Sequence, residues 1–511
     1  MQLCGLRTPR AARPFVHRVF EEQAGRNPAA PALTCGRTSL TYGELNAAAN
    51  RFAHLLASEG VGAGALVGVC LDRSPELLVS ILGILKSGAA YVPLDPTYPA
   101  ARLHGSVAQL PMLKLVVASP RTRGLVEQDG VDVLDTEEIA ARSAGRPSAD
   151  PDTAIDPLSP CYVVFTSGST GTPKAAAVTH EGWFNLLSWL AEEFALDYRS
   201  SNLVISSFGF DITQRSLLIP LFTGATLHLL PSRRFDAMLA HRLLGELSIR
   251  TVHCAPSTLY LLLERDTAAL GSLETVFVGG EPLVVGRVAQ WATSVADHCR
   301  IVNLYGVAEC SDVSTAHVLR DYPRYAAQGV PAGTAIHNTE IHLLSPDLAP
   351  LAPGETGEIC IAGRGLGAGY LNADRLNQER YPVVDGVLLY RTGDLGRIEA
   401  GELLFVGRAD SQVKVRGMRI DLGDVESAVR ALDGVTDAAV VTGPKDGLVA
   451  YIVPRAGAEP DERALWARLS AVLPAQMVPQ RFVPVPAFPL SPNGKVDRAA
   501  LTRAADTRKS P

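Results

Sequence analysis

From about residue 15 onward, short apolar runs alternate with longer helical patterns, and that alternation predicts an α/β chain. Residues 75–87 read as a helix, Gly88 supplies the turn, and residues 89–94 read as a strand. Residues 163–165 read as a strand that runs straight into a Gly/Ser/Thr loop. Four more short strands are expected at residues 203–205, 251–254, 275–278 and 301–304. Each of the last three gives way to a small or polar cluster: Ala255-Pro256-Ser257, Gly279-Gly280-Glu281 and Tyr305-Gly306. Helices between buried parallel strands cover both faces of a sheet, and ligands of such sheets gather at the carboxyl ends of the strands.

The stretch 393–416 is unusually polar, and a compact pattern follows it. Residues 426–432 read as a helix, 437–441 and 448–453 as strands, and 462–473 as a helix, which makes a small second domain. The expected division is a tail at 1–14, a large domain at 15–409, a small one at 410–501 and a tail at 502–511. A chain of 511 residues is too long for one continuous core. Its net charge of −6 gives no basic excess for nucleic acid or a membrane surface. Apolar runs such as 77–85 are about half the length of a span, and that run contains Ser80 and Gly83. Arg7, Arg10 and Arg13 precede no apolar segment with a cleavage site, so a secretory signal is not expected. The eight cysteines are scattered without a CxxC, which favours reduced thiols in a cytoplasmic protein over disulfides or a zinc site.

Candidate chemistry begins where Thr166, Ser167, Gly168, Ser169, Thr170, Gly171, Thr172, Pro173 and Lys174 follow an apolar strand. Hydroxyls and glycine amides packed this densely can wrap a phosphate, and the lysine adds positive charge. The spacing is not that of a Walker A loop, because Pro173 precedes Lys174 and Ala175 follows it. Eight further segments keep a fixed order around this loop: 40–45, 85–96, Phe210-Asp211, 303–309, 357–360 with 369–371, 390–395, 407–417 and 493–498. Together they resemble the core motifs of the adenylate-forming superfamily, and within it the amino-acid adenylation domains of nonribosomal peptide synthetases.

That resemblance implies a large N-terminal domain with parallel sheets and helices, plus a small mobile C-terminal α+β domain. It implies ATP and Mg2+ as cofactors, and condensation of a carboxylic acid with ATP to an acyl-adenylate and pyrophosphate. Carried over residue by residue, it gives Asp394 the ribose hydroxyls, which suits an acceptor-only carboxylate. Glu309 would ligate Mg2+, Tyr305 would pack by the adenine, and Arg408 would assist at ribose or phosphate. Lys495 would bridge the carboxylate and the α-phosphate as charge builds there. Asp410 resembles the hinge about which the small domain swings to admit a thiol. Four positions depart from the family: Val307 and Ala308 stand where Pro and Thr are usual, Ala368 replaces an arginine, and Ser216 replaces a glutamate. The missing threonine hydroxyl removes one phosphate donor, worth about 1 kcal/mol.

The resemblance places Asp211, Ile212, Arg215, Cys254, Phe277, Gly279, Leu304, Asp312 and Val313 around the acyl pocket, with Lys495 last. Asp211 matches the aspartate that pairs with a substrate ammonium, so an amino acid is expected. Arg215 and Asp312 are charged lining residues that need partners. They either pair with each other or each face a polar substrate group. Phe277 argues against a large side chain along its wall, and Gly279 leaves space on another. The expected substrate is small or medium-sized and polar, with a β-amino acid left open. Sixteen residues follow Lys495 without a phosphopantetheine-bearing serine motif, and no condensation domain precedes residue 15. The sequence therefore reads as a freestanding enzyme or an excised domain that acylates a carrier protein in trans. An MbtH-like helper is compatible with this but not demanded. The rivals are an acyl- or aryl-CoA ligase and a non-catalytic nucleotide-binding scaffold.

Overall fold

The computed structural model describes residues 2–166, 173–295, 297–352, 354–409, 412–443, 447–455, 461–489, 496 and 498–507. Two large sheets carry the expected strands. One has nine strands, and its six central members (Arg300–Tyr305, Thr275–Gly279, Thr251–Cys254, Asn202–Val204, Leu227–Leu229 and Pro31–Cys35) run parallel. Antiparallel strands close both of its edges. The other has seven strands, with Pro160–Thr166, Ala90–Pro93, Leu66–Cys70, Leu115–Ala118 and Asp132–Asp135 parallel, and Lys174–Thr179 returning antiparallel.

Side chains alternate across each strand, so the two faces of the nine-stranded sheet feed different cores. Phe277 joins a core shared with the seven-stranded sheet and with the helices Tyr42–Ser58, Pro75–Ser87, His180–Glu193 and Asp211–Thr223. Its neighbours Val276 and Val278 face a second core containing Leu244, Leu259 and Trp291. The helix Pro75–Ser87 ends at Gly88, whose φ of 85° is the left-handed cap that glycine adopts without a Cβ clash.

A third sheet departs from the parallel architecture expected of the large domain. Gln2–Cys4, Thr339–Leu344, Gly357–Gly363, Tyr390–Glu399 and Glu402–Arg408 form five antiparallel strands. An antiparallel sheet keeps one face wet, so its strands read as polar sequence. Much of the polar stretch 393–416 is therefore strand: Tyr390 and Ile398 are buried while Arg397 and Glu399 are exposed. Beyond it lie the hairpin Gln412–Val415 and Met418–Asp421, then a three-stranded sheet of Val435–Gly443, Gly447–Pro454 and Arg481–Pro484. The helices Leu422–Arg430 and Glu462–Ser470 pack into its main core with Val440 and Ile452. All eight cysteines are unpaired. Among the described residues, no helix is long and apolar enough to cross a membrane.

Two buried polar features bear on stability. The Lys86 ammonium has no side-chain exposure and contacts Glu21 at 2.5 Å and Asp150 at 3.1 Å. Removing one member of such a pair leaves an uncompensated charge, so Lys86→Met is expected to cost about 3–5 kcal/mol, read from the urea midpoint. His17 and His180 pack edge to face at 5.9 Å. Neither His17 ring nitrogen has a hydrogen-bond partner. Burial lowers His17 well below its usual 6.5 and His180 to about 4. Both are neutral in the fold and protonate in the unfolded chain. Their contribution is complete above pH 6.5 and is lost as pH falls toward 4, by about 1.4 kcal/mol per pH unit for each ring. His17→Leu is expected to flatten the fall in urea midpoint between pH 6.5 and 5.

Candidate active site

A cavity of about 960 Å3 opens at the carboxyl ends of the parallel strands of the nine-stranded sheet. Its walls come from the start of the helix Asp211–Thr223, from residues after the strands ending at Cys254, Gly279 and Tyr305, and from the hairpin at 412–421. Gly306 is required in the wall, because a Cβ there would sit 2.2 Å from the Asp312 carbonyl oxygen. At Gly279 a Cβ would stand 2.9 Å from the Leu304 carbonyl, so this glycine permits close strand approach as well as space.

Asp211 and Arg215 lie one helical turn apart on the same face, and both line the cavity. Asp211 accepts a hydrogen bond from the Ile212 amide at 2.8 Å. Burial raises its pKa. Ser311 and Asp312 hold φ of 59° and 74°, the left-handed region, after the short turn Ala308–Cys310. That backbone turns the Asp312 carboxylate toward Arg215, at 2.9 Å from Nη1. The approach is an ion pair without hydrogen-bond alignment: Arg215 Nη1 and Asp312 Oδ2 both lack hydrogen-bond partners. Of the two arrangements open to these residues in the sequence, the structure takes the paired one. Burial pushes Asp312 up to about 7, Arg215 pulls it down and Asp211 adds to the rise.

Arg215 Nε donates to His253 Nδ1 at 3.1 Å, so His253 is the tautomer protonated at Nε2. Burial and the Arg215 charge hold His253 well below 6.5. Its ring stacks on Phe277 with centroids 4.5 Å apart. Two residues depart from the expected pocket. Cys254 and Phe277 are fully buried and do not line the cavity: Cys254 joins the core of Val276 and Val278 on the other face of the sheet, and Phe277 is covered by His253 and Phe194. Ile212, Gly279, Leu304 and Val313 do line the cavity. Sequence reading missed His253; a lone histidine inside the apolar strand Thr251–Cys254 was the available signal.

Where the resemblance expects the nucleotide, Glu309 is fully buried. The Tyr370 hydroxyl donates to its Oε1 at 2.5 Å, Thr166 Oγ1 is 3.5 Å from the same atom, and Arg419 Nη1 is 3.6 Å from Oε2. Burial raises Glu309, but the Arg419 charge and the Tyr370 hydroxyl outweigh it and leave the carboxyl below its ordinary value. One ionised carboxylate whose Oε2 accepts no hydrogen bond and faces the Arg419 guanidinium at 3.6 Å offers a cation-binding oxygen, which fits Mg2+, an ion that keeps most of its shell as water and phosphate oxygen. Among the described residues, no cluster of three or more metal-binding side chains competes with that arrangement.

Asp394 accepts from the Tyr305 hydroxyl at 2.8 Å and from Arg408 Nη1. Arg408 also donates to the Thr392 carbonyl and to Gln412. A carboxylate offers about four acceptor positions, so about two remain. Tyr305, Asp394 and Arg408 lie beneath the cavity and do not line it, with Lys414 Nζ over the Tyr305 ring at 5.6 Å from its centroid. Burial lowers Lys414, and Asp394 opposes the shift. Lys174 is lowered by burial and by Arg380 and Arg419. Lys414, Arg416 and Arg419 thus bring positive charge from the hairpin to the cavity; the motif at 407–417 contained Lys414 and Arg416 without assigning them roles, and Arg419 lies beyond it. Ser167, Gly168, Ser169, Thr170, Gly171, Asp410 and Lys495 lie outside the described residues.

The family description "AMP-binding enzyme" matches residues 20–371, and "AMP-binding enzyme C-terminal domain" matches residues 424–495. Tyrocidine synthase 2 of Brevibacillus parabrevis is 36% identical over 503 residues, covering 96% of this chain. The chain spans only 14% of that relative's length. A nonribosomal peptide synthetase protein containing adenylation and PCP domains, solved with a vinylsulfonamide inhibitor, has a TM-score of 0.82 at 29% identity. The match covers 96% of this chain and 84% of that one. The o-succinylbenzoate CoA synthetase of Bacillus subtilis shares the fold at 19% identity, with a TM-score of 0.82 over 95% of this chain and 98% of its own.

Proposed function

The chain belongs to the AMP-binding enzyme family, and from that premise we propose that it activates an amino acid with ATP and passes the acyl group to a carrier-protein thiol. The observation that carries the amino-acid reading is Asp211: its neighbour Asp312 is already paired with Arg215, so Asp211 is the carboxylate left for an ammonium. The substrate carboxylate oxygen attacks the α-phosphorus of ATP, the bond to the bridging oxygen breaks, and pyrophosphate leaves.

Thr166, the loop from Ser167 to Gly171 and Lys174 hold the phosphates. Asp394 takes the ribose hydroxyls, Tyr305 packs by the adenine, and Arg408 secures Asp394 and the phosphate side. Glu309 holds Mg2+, which neutralises the triphosphate. Lys495 stabilises charge at the α-phosphate as the new bond forms. The small domain then turns about Asp410, replacing Lys495 at the cavity by the hairpin that carries Lys414 and Arg419. A phosphopantetheine thiolate attacks the acyl carbonyl, forms the thioester and expels AMP. The binding partner is a carrier protein, with or without an MbtH-like helper.

Hydroxylamine trapping tests this reading, because an acyl-adenylate converts to a hydroxamate detectable by mass. Amino-acid hydroxamates, dependent on ATP and Mg2+, are expected. Hydroxamates from amine-free acids alone, with CoA as the better acceptor, would favour the CoA-ligase reading that the shared fold keeps in view. ATP binding with no hydroxamate from any acid would favour the scaffold.

A further inference from the structure

Resting on the amino-acid reading above, we infer that the acyl pocket selects a neutral side chain carrying both a hydrogen-bond donor and an acceptor, a carboxamide, ureido or hydroxyl group. Three charged groups, Asp211, Arg215 and Asp312, line the acyl end of the cavity, and the next charged neighbours of Asp211, Glu309 and Lys414, are of opposite sign. With the Arg215 guanidinium and the incoming ammonium favouring the ionised form of both carboxyls, two carboxylates and one guanidinium leave a single negative charge, and the ammonium of the substrate cancels it. A further charge on the substrate side chain would then be buried without a counterion, which proteins avoid at large cost.

The pair is built in. Arg215 is 1% exposed and Asp312 8%, with the arginine anchored through Nε to His253 and the aspartate aimed by two consecutive left-handed residues. Burial keeps the His253 imidazole neutral, so it holds the guanidinium in place without adding a second cation.

The polarity follows from what the pair leaves undone. Arg215 Nη1 and Asp312 Oδ2 face each other out of solvent's reach, so the guanidinium's other terminal nitrogen, a donor, and the carboxylate's other oxygen, an acceptor, are the atoms left for a ligand in the cavity that both residues line. A carboxamide presents an acceptor and a donor side by side and satisfies both; a hydroxyl does the same with one oxygen. An apolar side chain leaves two buried polar atoms unpaired, and sites of that kind discriminate strongly against isosteres lacking the group. The expected order is therefore neutral polar over apolar over charged.

The test is pyrophosphate exchange by the full chain across matched amino acids: asparagine, glutamine, serine and citrulline against leucine, aspartate, glutamate, ornithine and arginine. Asparagine or glutamine is expected to exceed leucine by about tenfold and its own acid by about thirtyfold or more. Asp312→Asn frees Arg215 and is expected to shift preference toward aspartate or glutamate by about tenfold; Arg215→Gln is expected to shift it toward ornithine. A wild-type enzyme whose best substrate has a charged or apolar side chain overturns the inference and leaves amino-acid activation standing, whatever the variants do. Exchange with amine-free acids only, or with none, removes the amino-acid reading and this inference with it.

Discussion

Lys495→Ala is expected to lower amino-acid-dependent pyrophosphate release by about 10²–10³-fold, the usual effect of removing one donor that acts on developing charge. As the α-phosphorus is attacked, negative charge grows on its non-bridging oxygens and on the departing pyrophosphate. A cation that reaches those oxygens during bond formation stabilises the transition state more than either ground state, so the loss falls on kcat with little change in KM. The second half-reaction provides the control. Supplied with preformed aminoacyl-adenylate and a carrier protein, the variant is expected to form thioester at an unreduced rate, because the hairpin with Lys414 and Arg419 is untouched. Equal loss in both steps would assign Lys495 a structural role.

The second large effect is expected at Asp394. This carboxylate already accepts from Tyr305 and Arg408, and its remaining acceptor positions suit the two ribose hydroxyls. Hydrogen bonds to a charged acceptor are worth about 1.5–3 kcal/mol each, so Asp394→Ala is expected to reduce kcat/KM for ATP by about 10²–10⁴-fold. Part of that loss comes from leaving the nearly buried Arg408 guanidinium without its carboxylate. Deoxy analogues separate the two contributions. Removing a ribose hydroxyl from ATP is expected to weaken the wild type strongly and the variant hardly at all. The same penalty in both proteins would place the ribose elsewhere.

The parallel strands were legible because each is a short apolar run stopped by a small or polar cluster, as at Thr251–Cys254 before Ala255. The left-handed cap at Gly88 and the helix before it were legible for the same local reason. The five-stranded antiparallel sheet was not, since a strand with one wet face, such as Tyr390–Glu399, looks like polar linker in sequence. In the pocket, the motif supplied Asp211, Arg215 and Asp312, with the Arg215–Asp312 pair as one of two alternatives, but not the His253 that anchors the arginine. His253 sits on a strand whose contacts depend on a helix nearly forty residues away in sequence. Two left-handed residues at 311 and 312 set where the Asp312 carboxylate points, and nothing in their side chains announces that backbone. Arg419 was invisible as a site residue because its contact with Glu309 spans more than a hundred residues of chain.

The central claim is activation of an amino acid recognised through its ammonium, and a matched pair of acids tests it most directly. Pyrophosphate exchange is measured with the best amino acid and with its deamino analogue, in the wild type and in Asp211→Asn, with and without an MbtH-like helper. The expected result is strong exchange with the amino acid, about a hundredfold less with the analogue, and a ratio near one in the variant, since the loss of one buried charge pair removes the discrimination. Equal or faster exchange with the deamino acid in the wild type would contradict the assignment of Asp211 and the amino-acid reading with it.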